Sequence, residues 1–118
     1  MLITPSFLQG KIQVPPSKSV SHRAIICAAL AKGESIISNI ILSDDIKATI
    51  AGLKNLGAQI EVLPETVNRY LVKVRGGLKV DEKAGEIDCW ESGSTLRFLI
   101  PIAAALGNET VFMGRGRV

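Results

Sequence analysis

Two stretches of the sequence place basic and hydroxyl side chains at the start of an apolar helix. The first, PPSKSVSHRAIICAALAKG (15–33), carries Lys18, Ser19 and Arg23. The first N–H groups of a helix have no partner inside it, and the macrodipole adds partial positive charge there, so anions bind well at this end. The charge of a lysine at a helix N-terminus opposes the helix dipole, so the presence of Lys18 there favours a functional role over an ordinary helix start. The stretch predicts a site for a phosphate or a carboxylate, which Arg23 could grip with two hydrogen bonds.

The second stretch, SGSTLRFLIPIAAALG (92–107), repeats the pattern with Arg97 behind a short serine- and glycine-rich start. Gly93 has no Cβ, so a ligand can approach the backbone closely. Two more arginines follow in the loop GRGR (114–117), where in isolation they would be solvated charges. Each helix start alone could be an ordinary cap. The recurrence favours two helix N-termini that converge on one small, multiply anionic ligand.

The two stretches are also similar along their length, which indicates an internal repeat. Both run through AAL into a glycine, and Arg23 and Arg97 each lie ten residues before it. The period of about 74 residues matches one β-α-β-α-β-β unit. We therefore predict an α/β fold with one complete unit and a truncated second unit. Because the second unit stops after its second strand, we expect the chain to be a fragment.

Periodicity and punctuation place the elements that position these residues. The predicted strands are 11–14, 34–41, 58–63, 69–74, 86–90 and 109–113, with a hairpin turn at 64–68. The predicted helices are 19–31, 42–57 and 92–107, the last kinked at Pro101. In the second helix, Ser43 is the expected N-cap, Gly57 the left-handed end, and the apolar face falls at 46, 50, 53 and 56.

Composition excludes several classes of protein. The chain has 118 residues, 47% of them hydrophobic, which suffices for a packed core. No apolar run is long enough for a membrane span, and no signal peptide is present, so we expect a cytoplasmic protein. Net charge is +3 and aromatics are only 4%, a combination that argues against a nucleic-acid partner.

Three further side-chain types have simple interpretations. Cys27 and Cys89 are expected to be buried thiols, since no cluster of metal-ligand spacing surrounds them. Asp44 and Asp45 are expected to be helix-start acids. His22, the only histidine, is expected at the surface or in a local hydrogen bond, without a catalytic role.

The motifs PPSKSVSHRA, SDD (43–45), ESGSTLRF and GRGRV (114–118) together resemble the N-terminal part of the 5-enolpyruvylshikimate-3-phosphate synthases, which are enolpyruvyl transferases. The resemblance implies transfer of the enolpyruvyl group of phosphoenolpyruvate to the 5-hydroxyl of shikimate 3-phosphate, with release of phosphate. This is a step of the shikimate pathway towards chorismate and the aromatic amino acids. It implies no metal and no organic cofactor. It also implies that catalysis needs later sequence, so that the isolated fragment is inactive.

The resemblance also assigns roles by position. Lys18 matches a lysine that contacts both substrates and helps in proton transfer, and it is the one catalytic candidate. Ser19 and Arg23 match residues that hold shikimate 3-phosphate. The residues that match the phosphoenolpyruvate pocket are Gly93, Ser94 and Arg97. Two further candidates are Asp45 in the SDD motif and Arg117 in the last loop. The chain departs from many members at Glu91 and His22, where they have asparagine.

The resemblance divides the chain into three parts. Residues 1–14 would be a crossover strand segment belonging to the other domain of a full enzyme. Residues 15–85 would be the first unit, and 86–118 the truncated second. Two alternatives remain: a fragment of the sister enzyme that transfers enolpyruvyl to UDP-N-acetylglucosamine, and a non-catalytic α/β module that binds anions or RNA. Ser19 argues against the first, because that family typically has asparagine after the lysine.

Overall fold

The computed structural model describes residues 1–78, 85–107 and 109–118, and these form three helices and five strands. The helices are Lys18–Leu30 (α1), Asp44–Asn55 (α2) and Gly93–Leu106 (α3). The strands are Glu34–Ile40 (β1), Gln59–Thr66 (β2), Arg69–Arg75 (β3), Gly85–Asp88 (β4) and Thr110–Met113 (β5). The mixed order confirms the predicted α/β class. Every predicted helix is present, within a few residues of its expected bounds.

The strands form two small sheets. β1, β3 and β2 pair in that order as an antiparallel sheet, and the central strand places Val72 opposite both Ile37 and Val62. The predicted β2–β3 hairpin is therefore confirmed. β4 and β5 pair in parallel, with Ile87 opposite Phe112, and α3 provides the connection between them. Parallel neighbours need such a crossover because the chain must return to the same end of the sheet.

Helix α2 lies at the centre of the packing. Ser43 caps it by accepting the N–H of Ile46 at 3.3 Å, and Gly57 follows it with a left-handed φ of 106°. Its predicted apolar face is buried, with Leu53 fully enclosed. The helix packs against α1 and α3 and against β2 and β4. Because α2 contacts both other helices, it sets how the N-termini of α1 and α3 stand relative to one another.

The predicted strand at 11–14 is absent, so this prediction is wrong. Ile12 and Val14 are 89% and 68% exposed, and in the described ranges this segment pairs with no strand. Alternation of apolar and polar residues allows a strand, but the backbone groups still need a neighbouring strand for their hydrogen bonds. The assignment of residues 1–14 to another domain stays a prediction.

Two strand ends also differ from the prediction. Pro64, expected in the turn, lies in β2 opposite Tyr70. β2 is an edge strand in this sheet, so the missing N–H of proline is tolerated there. β4 ends at Asp88 and not at Trp90, because Trp90 takes a left-handed φ of 51° that a strand cannot accommodate.

The two cysteines have different environments. Cys89 is buried as predicted, and burial raises the pKa of its thiol, with the Asp88 carboxylate adding to the effect. Cys27 is exposed, so that part of the prediction is wrong. It lies between Arg23 and Leu30 on the outward face of α1, where residues three and four apart point the same way.

The repeat units stay a prediction in their details. The order from α1 to β3 fits a β-α-β-α-β-β unit whose first strand is missing, and β4-α3-β5 fits the start of a second. The boundary between 15–85 and 86–118 adjoins residues 79–84, which lie outside the described residues. Within the described ranges, no helix has both the length and the apolar character needed to cross a bilayer.

The junction between α1 and β3 provides a stability prediction at Gly76. A Cβ here would lie 1.8 Å from the carbonyl oxygen of Ala31 and 2.4 Å from that of Ala28. These backbone oxygens cannot rotate away, so Gly76→Ala should reduce the free energy of unfolding by about 1–3 kcal/mol or more. Urea denaturation of the 118-residue chain measures this. The control is Gly85→Ala, where the added methyl meets nothing within 4 Å; equal midpoints for the two variants would contradict the prediction.

Candidate functional site

The N-terminus of α1 presents Lys18 and Ser19 to solvent. Ser17 is the N-cap, and its Oγ accepts the N–H of Val20 at 3.3 Å. This leaves Lys18 and Ser19 in the first turn, where the N–H groups have no intrahelical acceptor. Both residues are exposed, as an anion site requires.

Lys18 forms an ion pair with Asp45, in the first turn of α2. The side chains are 56% and 27% exposed, so the pair adds little to stability and mainly fixes where the ammonium lies. An ammonium carries three donors, and one contact with Asp45 leaves others for a ligand. Asp45 is thus more than a helix-start acid, because it holds the lysine between two helix N-termini.

The N-terminus of α3 has the features predicted for close approach of a ligand. Ser92 is the buried N-cap, and its Oγ accepts the N–H of Thr95 at 3.1 Å. Gly93 and Ser94 follow, and their N–H groups are among those without an intrahelical acceptor. Apart from the adjoining residues and the backbone of α3 itself, no described atom lies within 4 Å of the position that a Cβ on Gly93 would take. Protein packing therefore does not require glycine here, and the space is open to a ligand.

A hydrogen bond to the main chain brings the two N-termini together. Thr95 Oγ1 donates to the carbonyl oxygen of Asp45 at 3.3 Å, and the Asp45 side chain contacts Lys18. The N-terminal ends of the three helices therefore lie together, and they carry Lys18, Asp45 and the Gly93–Thr95 turn. The packing of α2 between the other helices brings these groups together, and their convergence on one anionic ligand stays a prediction.

The arginines occupy different positions around this end. Arg23 is exposed, and its guanidinium carbon lies 5.9 Å from the ring centroid of Phe98 in α3, so it bridges α1 and α3. Such a cation–π contact orients the side chain while leaving its N–H groups available. Arg97 is exposed on α3, one turn after Gly93. Their roles as ligand contacts stay predictions.

The loop after β5 lies against the approach to α3. Arg115 pairs with Asp88 at 2.6 Å, so it is more than a solvated charge although it remains 73% exposed. The backbone N–H of Arg115 donates to the backbone carbonyl of Trp90 at 2.7 Å. A Cβ on Gly116 would lie 2.2 Å from Oε1 of Glu91, so the loop packs closely on that carboxylate. Arg117 follows in the same exposed loop.

A cleft of about 420 Å³ lies elsewhere, at the β2–β3 turn, and is lined by Gln13, Asn39 and residues 65–69 among others. None of the residues predicted to bind a ligand lines it. Its position next to a hairpin turn and the exposed N-terminal segment explains its size without a ligand. The chemistry-bearing residues lie on the open surface at the helix N-termini instead.

His22 is placed differently from the prediction of a surface or local role. It is 1% exposed, and its Nδ1 lies 2.8 Å from Oγ1 of Thr49, a residue 27 positions away. Burial lowers the pKa of His22 below its ordinary 6.5; the nearby Asp45 carboxylate opposes this and the Lys18 ammonium adds to it. A signal was present in the sequence, because His22 lies three and four residues before the buried Ile25 and Ile26.

The lowered pKa of His22 predicts a pH dependence of stability. The unfolded chain takes up a proton near pH 6.5, where the folded chain still holds a neutral ring. The free energy of unfolding should therefore fall as pH drops from about 6.5 to the folded-state pKa, by roughly 1.4 kcal/mol for each pH unit between the two values. His22→Asn removes this term. Urea denaturation from pH 7.5 to 5 measures the free energy of unfolding of both proteins. The wild-type value minus the His22→Asn value should decrease on acidification; a difference that stays constant with pH would contradict the prediction.

Sequence comparisons give the same family along the chain. A sequence model of the family described as EPSP synthase (3-phosphoshikimate 1-carboxyvinyltransferase) matches residues 3–118. The 3-phosphoshikimate 1-carboxyvinyltransferase of Clostridium perfringens is 52% identical over 118 residues, which are all of this chain and 27% of that protein. That of Clostridioides difficile is 45% identical over 121 aligned residues, covering 98% of this chain and 28% of that protein. The chain spans about a quarter of the length of these curated relatives.

Solved structures support the same comparison. An EPSP synthase from Acinetobacter baumannii matches with a TM-score of 0.73 at 29% identity, over 92% of this chain and 24% of that chain. A second structure of EPSP synthase from that organism matches with a TM-score of 0.67. The chain therefore shares its fold with these solved structures over the part that aligns, in agreement with the predicted α/β class.

Proposed function

The chain belongs to the EPSP synthase family, and we propose that its α1 and α3 N-termini form part of the site that transfers enolpyruvyl from phosphoenolpyruvate to shikimate 3-phosphate. The observation that carries this proposal is the convergence of the Lys18–Asp45 pair with the α3 N-terminus through the Asp45 carbonyl. Both substrates are phosphorylated carboxylic acids. Two helix N-termini with basic side chains suit such ligands, since each supplies unpaired N–H groups and partial positive charge.

The reaction by this proposal is an addition followed by an elimination. The 5-hydroxyl oxygen of shikimate 3-phosphate bonds to C2 of phosphoenolpyruvate, loses its proton, and a proton adds to the methylene carbon. The tetrahedral intermediate then expels phosphate, while the new methyl group gives up a proton and the carbon–carbon double bond re-forms. A positioned acid–base group typically contributes 10²–10⁴-fold to such proton transfers. Lys18 is the candidate for this role within the chain.

The other candidates would bind and orient the substrates. Ser19 and Arg23, both on the exposed side of α1, would hold shikimate 3-phosphate. Gly93 would allow phosphoenolpyruvate to approach the α3 amides, with Ser94 and Arg97 beside it. Asp45 would orient the Lys18 ammonium. Arg117 would close the site from the loop after β5.

Two further statements belong to this proposal. The partner of the chain is the remainder of the enzyme, because the matched relatives are about four times as long. The location is the cytoplasm, since multiply anionic substrates cross membranes poorly and must be used where they are made. The family match does not favour the sister enzyme that acts on UDP-N-acetylglucosamine.

A chimera tests the proposed function. Residues 1–118 replace the matching segment of the Clostridium perfringens relative, with which they are 52% identical. Phosphate release is then measured with both substrates present. We expect turnover that depends on both phosphoenolpyruvate and shikimate 3-phosphate. A folded chimera without turnover would overturn the proposal.

The 118-residue chain alone should release no phosphate above background. The resemblance places further acid–base and substrate-binding residues outside these 118 positions, so the chain holds only part of the machinery. The same assay at high protein concentration checks this, with the chimera as positive control. Substrate-dependent turnover by the isolated chain would contradict the expectation.

A further inference from the structure

Four buried polar side chains form a continuous chain of contacts, the hydroxyl relay, through the three helices. His22 Nδ1 lies 2.8 Å from Thr49 Oγ1, which lies 2.8 Å from Thr95 Oγ1, which lies 2.6 Å from Ser92 Oγ. All four residues are at most 1% exposed. The relay therefore connects α1, α2 and the N-cap of α3 away from solvent.

The direction of the hydrogen bonds follows from counting protons. Ser92 Oγ accepts the Thr95 N–H, so its own proton is free to point at Thr95 Oγ1. Thr95 donates to the Asp45 carbonyl, which can only accept. The Thr49 proton must then point at Thr95, and the proton in the remaining contact must come from His22 Nδ1. One proton for each contact is thus available only when neutral His22 carries its hydrogen on Nδ1.

This direction leaves His22 Nε2 as a bare acceptor. Nε2 is buried, and among the described residues it has no hydrogen-bond partner. An unpartnered acceptor in a buried ring costs free energy, as do buried hydroxyls relative to apolar side chains of the same shape. Packing alone would be served at least as well by valine at 49 and 95. A fully connected buried network instead favours one arrangement of the groups it joins.

The α3 end of the relay, formed by Thr95 and Ser92, contacts groups of the proposed site. Thr95 holds the main chain of Asp45, whose carboxylate holds Lys18, and Ser92 caps the turn that contains Gly93 and Ser94. We propose that Thr49 is a positioning residue, which fixes the α3 N-terminus relative to the Lys18–Asp45 pair through this one-way relay. The effect on substrates rests on the proposed function, whereas the relay itself does not.

The first test uses the ligand-free 118-residue chain and NMR. Ring-nitrogen shifts of His22 near pH 7.5 should report hydrogen on Nδ1; a ring protonated on Nε2 would overturn the proposal, even if no variant folds. Thr49→Val keeps the shape of the side chain but removes the hydroxyl. It should move the amide signals of Lys18, Gly93 and Ser94 and speed hydrogen exchange at the Thr95 N–H about tenfold, as loss of one hydrogen bond predicts.

The matched variants separate the hydroxyl from packing. Thr49→Ser keeps the hydroxyl and should leave these signals and the exchange rate close to wild type. Thr66→Val, on the exposed part of β2, should change none of them. Equal effects of Thr49→Ser and Thr49→Val, or no effect of Thr49→Val, would overturn the positioning role.

The second test uses the chimera. Thr49→Val should raise the KM for phosphoenolpyruvate about five- to tenfold, and Thr49→Ser should restore it. A merely structural role would lower the amount of folded enzyme and leave KM unchanged, which would overturn the proposal. If the wild-type chimera shows no turnover, the proposed function fails while the NMR experiment still decides the relay.

Discussion

Lys18→Ala in the chimera should lower kcat/KM by about 10²–10⁴-fold, the range that a positioned acid–base group contributes. The ammonium is held by Asp45 at the meeting point of α1 and α3, so its loss removes both a proton-transfer group and a positive charge facing two anionic substrates. Lys18→Arg should recover binding more than turnover, because guanidinium keeps the charge but does not give up a proton near neutral pH. Steady-state phosphate release with each substrate varied in turn measures both terms.

The control for Lys18 is Lys47→Ala, an exposed lysine in the same helix as Asp45. It removes the same charge from the chain and should change kcat/KM less than threefold, consistent with the weak effect of an exposed charge. The Lys18 variant should unfold at nearly the same urea concentration as wild type, since its ion pair is largely exposed. Similar kinetic losses in both variants would reduce the role of Lys18 to net charge.

Local signals were sufficient for the helices. The start and end of α2 could be predicted because Ser43 and Gly57 act on the backbone next to them, and the spacing of Ile46, Ile50 and Leu53 marks the buried face. The caps of α1 and α3 follow the same physics. These interactions span three or four residues, so the sequence alone contains what determines them.

Contacts between helices could not be derived in the same way. The Lys18–Asp45 pair spans 27 positions and the Thr49–Thr95 contact 46, and each depends on how α2 crosses its neighbours. The sequence indicated that Asp45 starts a helix but not that the side chain meets Lys18. The spacing to Ile25 and Ile26 could have indicated that His22 is buried, but not that it contacts Thr49, which comes from another helix.

Strand prediction failed where pairing decided the outcome. Residues 11–14 alternate as a strand should, yet a strand exists only with a partner, and in the described part of the chain this segment pairs with none. Proline is typical of turns, so Pro64 was expected in one. It is tolerated in the edge strand β2 because an N–H on the open side of an edge strand has no neighbouring strand to bond to. Trp90 would extend β4 by β propensity, but its backbone N–H donates to Asp88 Oδ1, 2.9 Å away, and its φ is left-handed.

The proposed site depends both on local sequence signals and on contacts between helices. The helix N-termini and their basic residues are encoded locally, and the resemblance assigns them to two anionic substrates. Their convergence depends on α2, which is held to α1 by Lys18–Asp45 and His22–Thr49 and to α3 by Thr49–Thr95. Changes in the α1 and α3 turns should therefore act on substrate binding directly, and changes in the relay should act through geometry.

Gly93→Ala should separate the two substrates. The added methyl meets no described atom within 4 Å, so the fold should be as stable as wild type. In the proposed site the methyl enters the space where phosphoenolpyruvate approaches the α3 amides, and one carbon in a fitted pocket changes discrimination about 10- to 200-fold. The KM for phosphoenolpyruvate in the chimera should rise by that factor, while the KM for shikimate 3-phosphate stays within about threefold. Gly85→Ala, equally open at its Cβ but in β4, should change neither. An equal rise in both KM values for Gly93→Ala would show that the methyl disturbs the helix N-terminus as a whole and would remove the assignment of this turn to phosphoenolpyruvate.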